Sequence, residues 1–247
     1  FKVCPVSQKV HTTQSNSQSI TNRQNSQIIV FDTPGIVDQT EMKKHKLSSS
    51  FVSSCRHSIQ HADVIGILHD ISNRWTRSAL QPLIINLLKE YKSKPSFLVL
   101  NKIDMVKGKR VLLDTIRSLT CKNISLDPNF TKVTKQPIKP DGSEAVEKEA
   151  GWPYFKSIFL VSSLKGDGVE KVADFLSSMS TEGAWQYRNN ELTDQEPEKL
   201  IEGFVRARLL DYLPQEIPYN LKVELEFFSN ENNKMFASVL IVCPNER

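Results

Sequence analysis

The sequence predicts an α/β protein with a mostly parallel sheet flanked by helices, followed by a smaller α+β unit. Between residue 27 and about residue 180, short apolar runs alternate with stretches of helical periodicity. Each run is apolar at successive positions, which is typical of strands covered on both faces. After residue 183 the pattern changes to one helix followed by two strands.

Four apolar runs predict the strands of the sheet. They are Gln27–Phe31, Asp63–His69, Ser96–Leu100 and Ser157–Val161. Between and after them, apolar residues spaced three and four apart predict helices. These are Ala79–Tyr91, Lys109–Leu119 and Val169–Met179. Residues 121–150 are rich in Lys, Pro, Asp and Ser and contain no long apolar run, which predicts a mobile surface insertion.

The last part of the chain predicts a helix and a hairpin. Thr193 and Glu196 have the spacing of a capping box, so we expect a helix to start there and to end near Leu213. Its predicted apolar face consists of Ile201, Phe204, Val205, Leu209, Tyr212 and Leu213. Leu221–Phe227 alternates apolar and charged residues, and residues 230–233 predict a turn before a partner strand, Met235–Val242.

Composition narrows the function classes only slightly. The 247 residues include 39% hydrophobic and 24% charged residues, which is typical of a globular protein. The net charge of +4 permits a nucleic-acid partner without arguing for one. The four cysteines show no CxxC spacing, so we expect free thiols. No apolar stretch reaches the roughly 20 residues of a membrane span.

The first motif is Asp-Thr-Pro-Gly, which directly follows the predicted strand Gln27–Phe31. Asp32 there could hold Mg²⁺, usually through water. Gly35 would let the backbone approach a terminal phosphate closely. An ordinary turn explains this motif equally well when it is taken alone.

The second motif is Asn-Lys-Ile-Asp, which follows the strand Ser96–Leu100. Asp104 could accept hydrogen bonds from N1–H and the exocyclic amine of guanine, a donor pair that adenine lacks. Asn101 could tie neighbouring loops together, and the aliphatic stem of Lys102 could cover the base plane. A chance match to the Asn-Lys-Ile-Asp motif in a chain of this length is less probable than a chance match to Asp-Thr-Pro-Gly.

Two weaker motifs complete the set. Ser162, Ser163 and Leu164 begin a polar loop after the fourth strand, and its backbone amides could contact the carbonyl oxygen of guanine. A hydroxyl of Thr12 or Thr13 could complete Mg²⁺ coordination when a loop closes over the γ-phosphate. The order of the four motifs, three of them at strand ends, makes coincidence a poor explanation.

These motifs resemble those of the translation-factor-related P-loop GTPases, in particular the Era family. VHTTQS and VFDTPGI resemble its switch segments, NKID its base-specificity motif and VSSLKG its base-support motif. The stretches after residue 183 resemble the opening of its C-terminal KH domain, of type II. The resemblance implies a P-loop GTPase-type domain over residues 1–182, with the insertion at 121–150, and the first part of a KH domain over residues 183–247.

The resemblance also implies ligands and site residues. GTP or GDP with Mg²⁺ would be bound, with K⁺ as an additional ion, and Thr13 and Asp32 would serve the metal. The nucleotide-binding set would be Thr12, Thr13, Asp32, Thr33, Pro34, Gly35, Ile36, Asn101, Lys102, Ile103, Asp104, Ser162, Ser163 and Leu164. The function implied is a GTP-hydrolysing switch that binds small-subunit ribosomal RNA and assists assembly of the small ribosomal subunit.

Several stretches more specifically resemble the mitochondrial Era-like GTPases of animals. They are ISNRWTR, GWPYFKSIF and LPQEIPYN, together with the insertion between the second and third strand-end motifs. This implies a monomeric protein of the mitochondrial matrix. Peripheral association with the inner mitochondrial membrane is a further expectation.

Three departures from the family pattern carry expectations of their own. No GxxxxGK[ST] loop occurs; in the family it lies shortly before the segment FKVCPVSQKV, so we expect residues 1–247 alone to bind GTP poorly. The GxxG loop with which KH domains grip RNA is expected just beyond Arg247. Ile36 stands where other GTPases have a water-orienting glutamine, which implies slow intrinsic hydrolysis aided by K⁺, RNA or a ribosomal partner.

Two alternatives remain open from the sequence. One is a non-catalytic RNA-binding scaffold that keeps a GTPase-like domain for structure alone. The other is a different ribosome-assembly GTPase with a related C-terminal domain. A phosphate-binding loop encoded before Phe1 would favour the enzyme over the scaffold.

Overall fold

A computed structural model describes residues 4–5, 17–33, 35, 50–121, 150–214, 217–231 and 234–243, with backbone only at 50–52. These residues fall into two compact units. One unit contains a two-stranded antiparallel sheet and the chain from Ser180 onward, and the other contains a three-stranded parallel sheet. Most of the predicted insertion, residues 122–149, lies outside the described residues.

The parallel sheet has three strands in the order in which they occur along the chain. They are β3 (Ile65–Asp70), β4 (Ser96–Asn101) and β5 (Phe155–Val161). In the chain, α1 (Ser50–His61) precedes β3, and most of it belongs to the other unit. The helices of the unit with the parallel sheet are α2 (Pro82–Glu90) before β4, α3 (Lys109–Leu119) after β4 and α4 (Val169–Ser178) after β5. The register pairs Asp70 with Asn101 and Asn101 with Val161, so the three strands end side by side.

Strand β4 is covered on both faces, as predicted. Leu98 and Leu100 are fully buried in a core cluster that includes residues of α2 and α3. Phe97 and Val99 belong to a second cluster, against which Phe175 of α4 packs. Because successive side chains of a strand point to opposite faces, the two clusters lie on the two sides of the sheet. The predicted parallel sheet with flanking helices is confirmed for this unit.

Strand β3 departs from the predicted coverage on both faces. Its burial alternates along the strand, and Leu68 is 68% exposed. Strand β3 stands at one end of the strand order among the described strands. Packing favours glycine at Gly66, because a β-carbon there would lie 2.7 Å from the Phe97 ring.

Of the two strands of the antiparallel sheet in the other unit, the sequence predicted only one. It consists of β1 (Ser17–Arg23) and β2 (Ser26–Asp32), which pair along their whole lengths. Sequence analysis missed β1 because its residues are mostly polar. It found β2 but assigned it to strands covered on both faces, which is wrong for the described residues: β2 is antiparallel to β1 and only partly buried.

The segment of residues 183–196 runs along this antiparallel sheet. The side chain of Gln27 accepts hydrogen bonds from the backbone amides of Gln186 and Tyr187 at 2.9 and 3.0 Å. Further along, the backbone amide of Ile20 donates to the carbonyl of Leu192 at 2.8 Å. The side chains and backbone of β1 and β2 thus provide hydrogen-bond partners for this polar segment.

The predicted capping box at Thr193 is wrong, because Thr193 is part of the segment that pairs with the antiparallel sheet. Thr193 forms an antiparallel bridge with Ser19, and its hydroxyl accepts a hydrogen bond from the amide of Gln195. The helix α5 (Pro197–Tyr212) instead begins at Pro197, a residue suited to the first helical position because it has no amide hydrogen to satisfy.

Two further corrections concern the helix and hairpin. The buried residues of α5 are Ala207 and Leu210, neither of which belongs to the predicted apolar face. Tyr212, which does belong to that face, is 79% exposed. A short 3₁₀ turn (Ile217–Asn220) leads into β6 (Lys222–Glu231) and its antiparallel partner β7 (Lys234–Val242). A register shift between Leu225 and Phe227 breaks the predicted alternation, and Phe227 is 57% exposed.

Cys4, Cys55, Cys121 and Cys243, all among the described residues, form no disulfide bond with one another. Within the described ranges, no helix has the length and hydropathy that crossing a membrane requires.

Candidate functional site

Asp104 lies on a single 3₁₀ turn (Ile103–Met105) directly after β4, with its carboxylate exposed to solvent. One of its oxygens, Oδ1, accepts a hydrogen bond from the hydroxyl of Ser162 at 2.6 Å. Ser162 follows β5 and is fully buried. Ile103 is partly buried against the core cluster of the parallel sheet, which anchors the turn. A buried hydroxyl therefore holds an exposed carboxylate in a fixed place.

The hydrogen bond from Ser162 lowers the pKa of Asp104 below its ordinary value, and the nearby charges of Lys165 and Lys102 act in the same direction. Asp104 is consequently ionised at neutral pH. An ionised carboxylate only accepts hydrogen bonds and has about four lone-pair sites, so one bond from Ser162 leaves capacity for an incoming pair of donors.

Asn101 connects the loops after β4 and β5. Its side-chain oxygen accepts hydrogen bonds from the backbone amide of Lys102 at 2.8 Å, the amide of Ser163 at 3.1 Å and the hydroxyl of Ser163 at 2.9 Å. The loop after β5 is closed further by the amide of Gly166, which donates to the carbonyl of Ser162 at 2.8 Å. This is the tie between neighbouring loops that the residue type suggested.

Lys102 joins this group through an ion pair, whereas Leu164 projects into solvent. Lys102 forms an ion pair with Asp70 across 2.6 Å, with about half of each side chain exposed. Its backbone is left-handed, at φ 65° and ψ 36°. The side chain of Leu164 is 89% exposed. The structure thus brings together six of the predicted site residues: Asn101, Lys102, Ile103, Asp104, Ser162 and Ser163.

The remaining described site residues belong to the other unit. Asp32 ends β2, where the register pairs it with Ser17. The side chain of Thr33 is hydrogen-bonded to the thiol of Cys55. Burial raises the pKa of Cys55, which that hydrogen bond partly offsets. Gly35 is exposed, with no atom within 4 Å of the position that a β-carbon would take.

Four predicted site residues lie outside the described residues: Thr12, Thr13, Pro34 and Ile36. Within the part of the chain that is described, no three His, Cys, Asp or Glu side chains group as metal ligands. Asp32 as one carboxylate fits Mg²⁺ nevertheless, because Mg²⁺ in nucleotide sites takes one or two protein carboxylates and fills its other positions with water and phosphate.

Sequence reasoning missed Asp70. The sequence shows only that Asp70 directly follows the predicted strand Asp63–His69; that β3 runs parallel to and beside β4 is a finding of the structure. A carboxylate at that position lies beside the motif whenever the two strands are neighbours in register.

The chain as a whole is similar in sequence to known GTPases. A family model described as a 50S ribosome-binding GTPase matches residues 2–102. A Danio rerio protein named "GTPase Era, mitochondrial" is 33% identical over 94% of this chain, and a Salmo salar protein of the same name is 29% identical over 94%. The chain is thus similar to GTPases named Era. It spans 58% and 59% of the length of these two relatives.

A solved structure has the same fold as this chain. That structure is of Era in complex with MgGDPNP and nucleotides 1506–1542 of 16S ribosomal RNA, and the match has a TM-score of 0.73 at 22% identity. It covers 99% of this chain and 72% of that chain. The P-loop GTPase-type fold predicted from the sequence is therefore confirmed.

Proposed function

We propose that this protein is a GTP-binding and GTP-hydrolysing switch that binds small-subunit ribosomal RNA and assists assembly of the small ribosomal subunit. The observation that carries the proposal is the exposed, ionised carboxylate of Asp104, fixed by Ser162 at the end of the parallel sheet. The names of the Era relatives and of the RNA-bound Era structure support it.

Asp104 would select the base. Its carboxylate can accept from N1–H and the exocyclic amine of guanine together, and adenine offers no such pair of donors. Ser162 and Asn101 fix the two loops before any ligand arrives, so less conformational freedom is lost on binding. The aliphatic stem of Lys102 would cover the face of the base. The amides of the loop that Ser163 and Leu164 begin would lie near its carbonyl oxygen.

The threonine pair and the Asp-Thr-Pro-Gly motif would bind the phosphates and the metal ion. Asp32 and Thr13 would hold Mg²⁺, which supplies positive charge to the phosphate oxygens when bound. Gly35 leaves space for a phosphate against its backbone, consistent with its open surroundings. Thr12, Thr33, Pro34 and Ile36 would line the same region. With Ile36 in the place of a water-orienting glutamine, we expect slow intrinsic hydrolysis, which K⁺ or RNA would accelerate.

The division of labour within the chain belongs to the same proposal. Residues 1–182 would form the GTPase domain and residues 183–247 the first part of a KH domain that holds RNA. The proposed location is the mitochondrial matrix, in keeping with the names of the two fish relatives. A monomeric state and peripheral association with the inner mitochondrial membrane complete the proposal; sedimentation and flotation with membranes would test these two points.

Hydrolysis and RNA binding measured together test the function. With the full-length protein, we expect release of phosphate from GTP but not from ATP, and an affinity for a small-subunit ribosomal RNA transcript that differs between the GDP-bound and GTP-analogue-bound protein. Filter binding measures the RNA affinity. Tight RNA binding without nucleotide-dependent affinity or GTP hydrolysis would instead support the non-catalytic scaffold.

A further inference from the structure

The carboxylate of Asp70 is held by donors on both of its oxygens. Oδ2 receives the ammonium group of Lys102 at 2.6 Å. Oδ1 accepts hydrogen bonds from the backbone amide of Ser72 at 2.8 Å and from its hydroxyl at 2.7 Å. Because Asp70 is paired in register with Asn101, the last residue before Lys102, the ion pair joins the ends of β3 and β4. A carboxylate bound in this way has little freedom to rotate.

Lys102 is correspondingly held at two points. Its amide donates to the side-chain oxygen of Asn101 at 2.8 Å, and its ammonium group reaches Asp70. Its left-handed backbone, at φ 65°, is unfavourable for a residue with a β-carbon. Conformations of this kind persist where the surroundings impose them, and they concentrate at functional sites. Between the two anchors lies the aliphatic stem, the part of Lys102 that can cover an apolar surface.

We propose that Asp70 is a positioning residue for the nucleotide base: it fixes the stem of Lys102 over the base plane, while Asp104 reads the edge of the base. The proposal rests on the proposed guanine-binding function and deepens it. It assigns to Asp70 a role in affinity for any base that stacks there, and no role in the choice between bases.

The charge state of Asp70 is consistent with this role. Burial raises its pKa, but the hydrogen bonds from Lys102 and Ser72 outweigh that effect, so its pKa lies below the ordinary value. The carboxylate is therefore ionised at neutral pH. With about half of both side chains exposed, the pair is partly screened by solvent, and we expect its loss to weaken binding about threefold.

The test is a double-mutant cycle in the full-length protein, with binding measured by isothermal titration of GDP and of IDP, which lacks the exocyclic amine. Asp70→Asn keeps the shape of the side chain and its bonds from Ser72 but removes the charge. We expect it to raise the Kd for GDP and for IDP by the same factor of about three. In a Lys102→Ala background, the same substitution should have no effect. Asp70→Glu should restore binding to within about twofold.

Asp63→Asn is the matched control, because Asp63 is an exposed carboxylate just before the opposite end of β3. It should leave both dissociation constants unchanged. Three outcomes would overturn the role of Asp70: an unchanged Kd in Asp70→Asn, an equal loss in the Lys102→Ala background, or an altered ratio of GDP to IDP affinity. Failure of the proposed function is distinguishable, since the unsubstituted protein would then show no preference for GDP over ADP.

Discussion

Strands β4 and β7 are both apolar runs, yet they bury very different shares of their side chains. Leu100 of β4 is fully buried, whereas Leu240 of β7 is 43% exposed. Strand β4 lies between two other strands and has a core cluster on each face, whereas β7 is paired with β6 alone among the described strands. Neighbouring strands on both edges and core clusters on both faces, and not apolar composition alone, account for the burial of β4.

This difference explains where the best-formed site residues occur. Asn101 ends the strand with the most complete burial, Asp104 lies on the turn after it, and Ser162 follows its neighbour β5. A chain leaving a buried strand has a fixed direction, so the polar side chains that come next reach defined partners. The hydrogen bonds from Ser162 to Asp104 and from Ser163 to Asn101 are the result.

The largest expected effect contrasts the same substitution in the two strands. Leu100→Ala removes a fully buried side chain and should lower the free energy of unfolding by about 3 kcal/mol. Leu240→Ala should cost less than about 1 kcal/mol, because its side chain is already partly in water. Urea unfolding of the 247-residue chain, followed by circular dichroism, measures both. Equal losses of unfolding free energy in the two variants would show that β4 and β7 are equally well packed, which would contradict the difference in burial.

A smaller effect is expected from two glycines in the loop after β5. Both have left-handed backbones, with φ 81° at Gly166 and φ 76° at Gly168. A β-carbon on Gly168 would lie 2.1 Å from the carbonyl oxygen of Leu160, whereas one on Gly166 would meet nothing within 4 Å. Gly166→Ala should therefore cost about 1 kcal/mol from backbone strain alone, and Gly168→Ala at least about 2 kcal/mol.

Thermal unfolding with calorimetry distinguishes the two glycine variants, since Gly166→Ala serves as the control for the left-handed backbone. An identical loss in both would show that the loop moves away from Leu160 at no cost. In that event the loop carrying Ser162 would be less firmly held than its hydrogen bonds indicate.

The parallel sheet could be predicted from the sequence because each of its strands is a continuous apolar run. The position of Asp104 followed from that, since its motif directly succeeds β4. Strand β1 was missed because the residues of Ser17–Arg23 are mostly polar, and its pairing comes from β2 and the segment of residues 183–196. The capping box failed for a related reason, as Thr193 forms its contacts with β1.

Asp70 is a site residue that no local sequence pattern could have predicted. A single aspartate at a strand end has many ordinary explanations. Its pairing with Lys102 depends on β3 and β4 being neighbours in one register, which residues 32 positions apart cannot specify by themselves. The bulge between Leu225 and Phe227 is similar: regular alternation was apparent, and the register shift depends on the partner strand.

The central claim is that the carboxylate at Asp104 selects guanine, and titration of GDP and XDP against the full-length Asp104→Asn protein tests it most directly. An asparagine amide can donate to the second carbonyl of xanthine but cannot accept both donors of guanine. We expect the unsubstituted protein to prefer GDP and the variant to lose roughly 100-fold in GDP affinity while gaining preference for XDP. A variant that still prefers GDP over XDP would contradict the account.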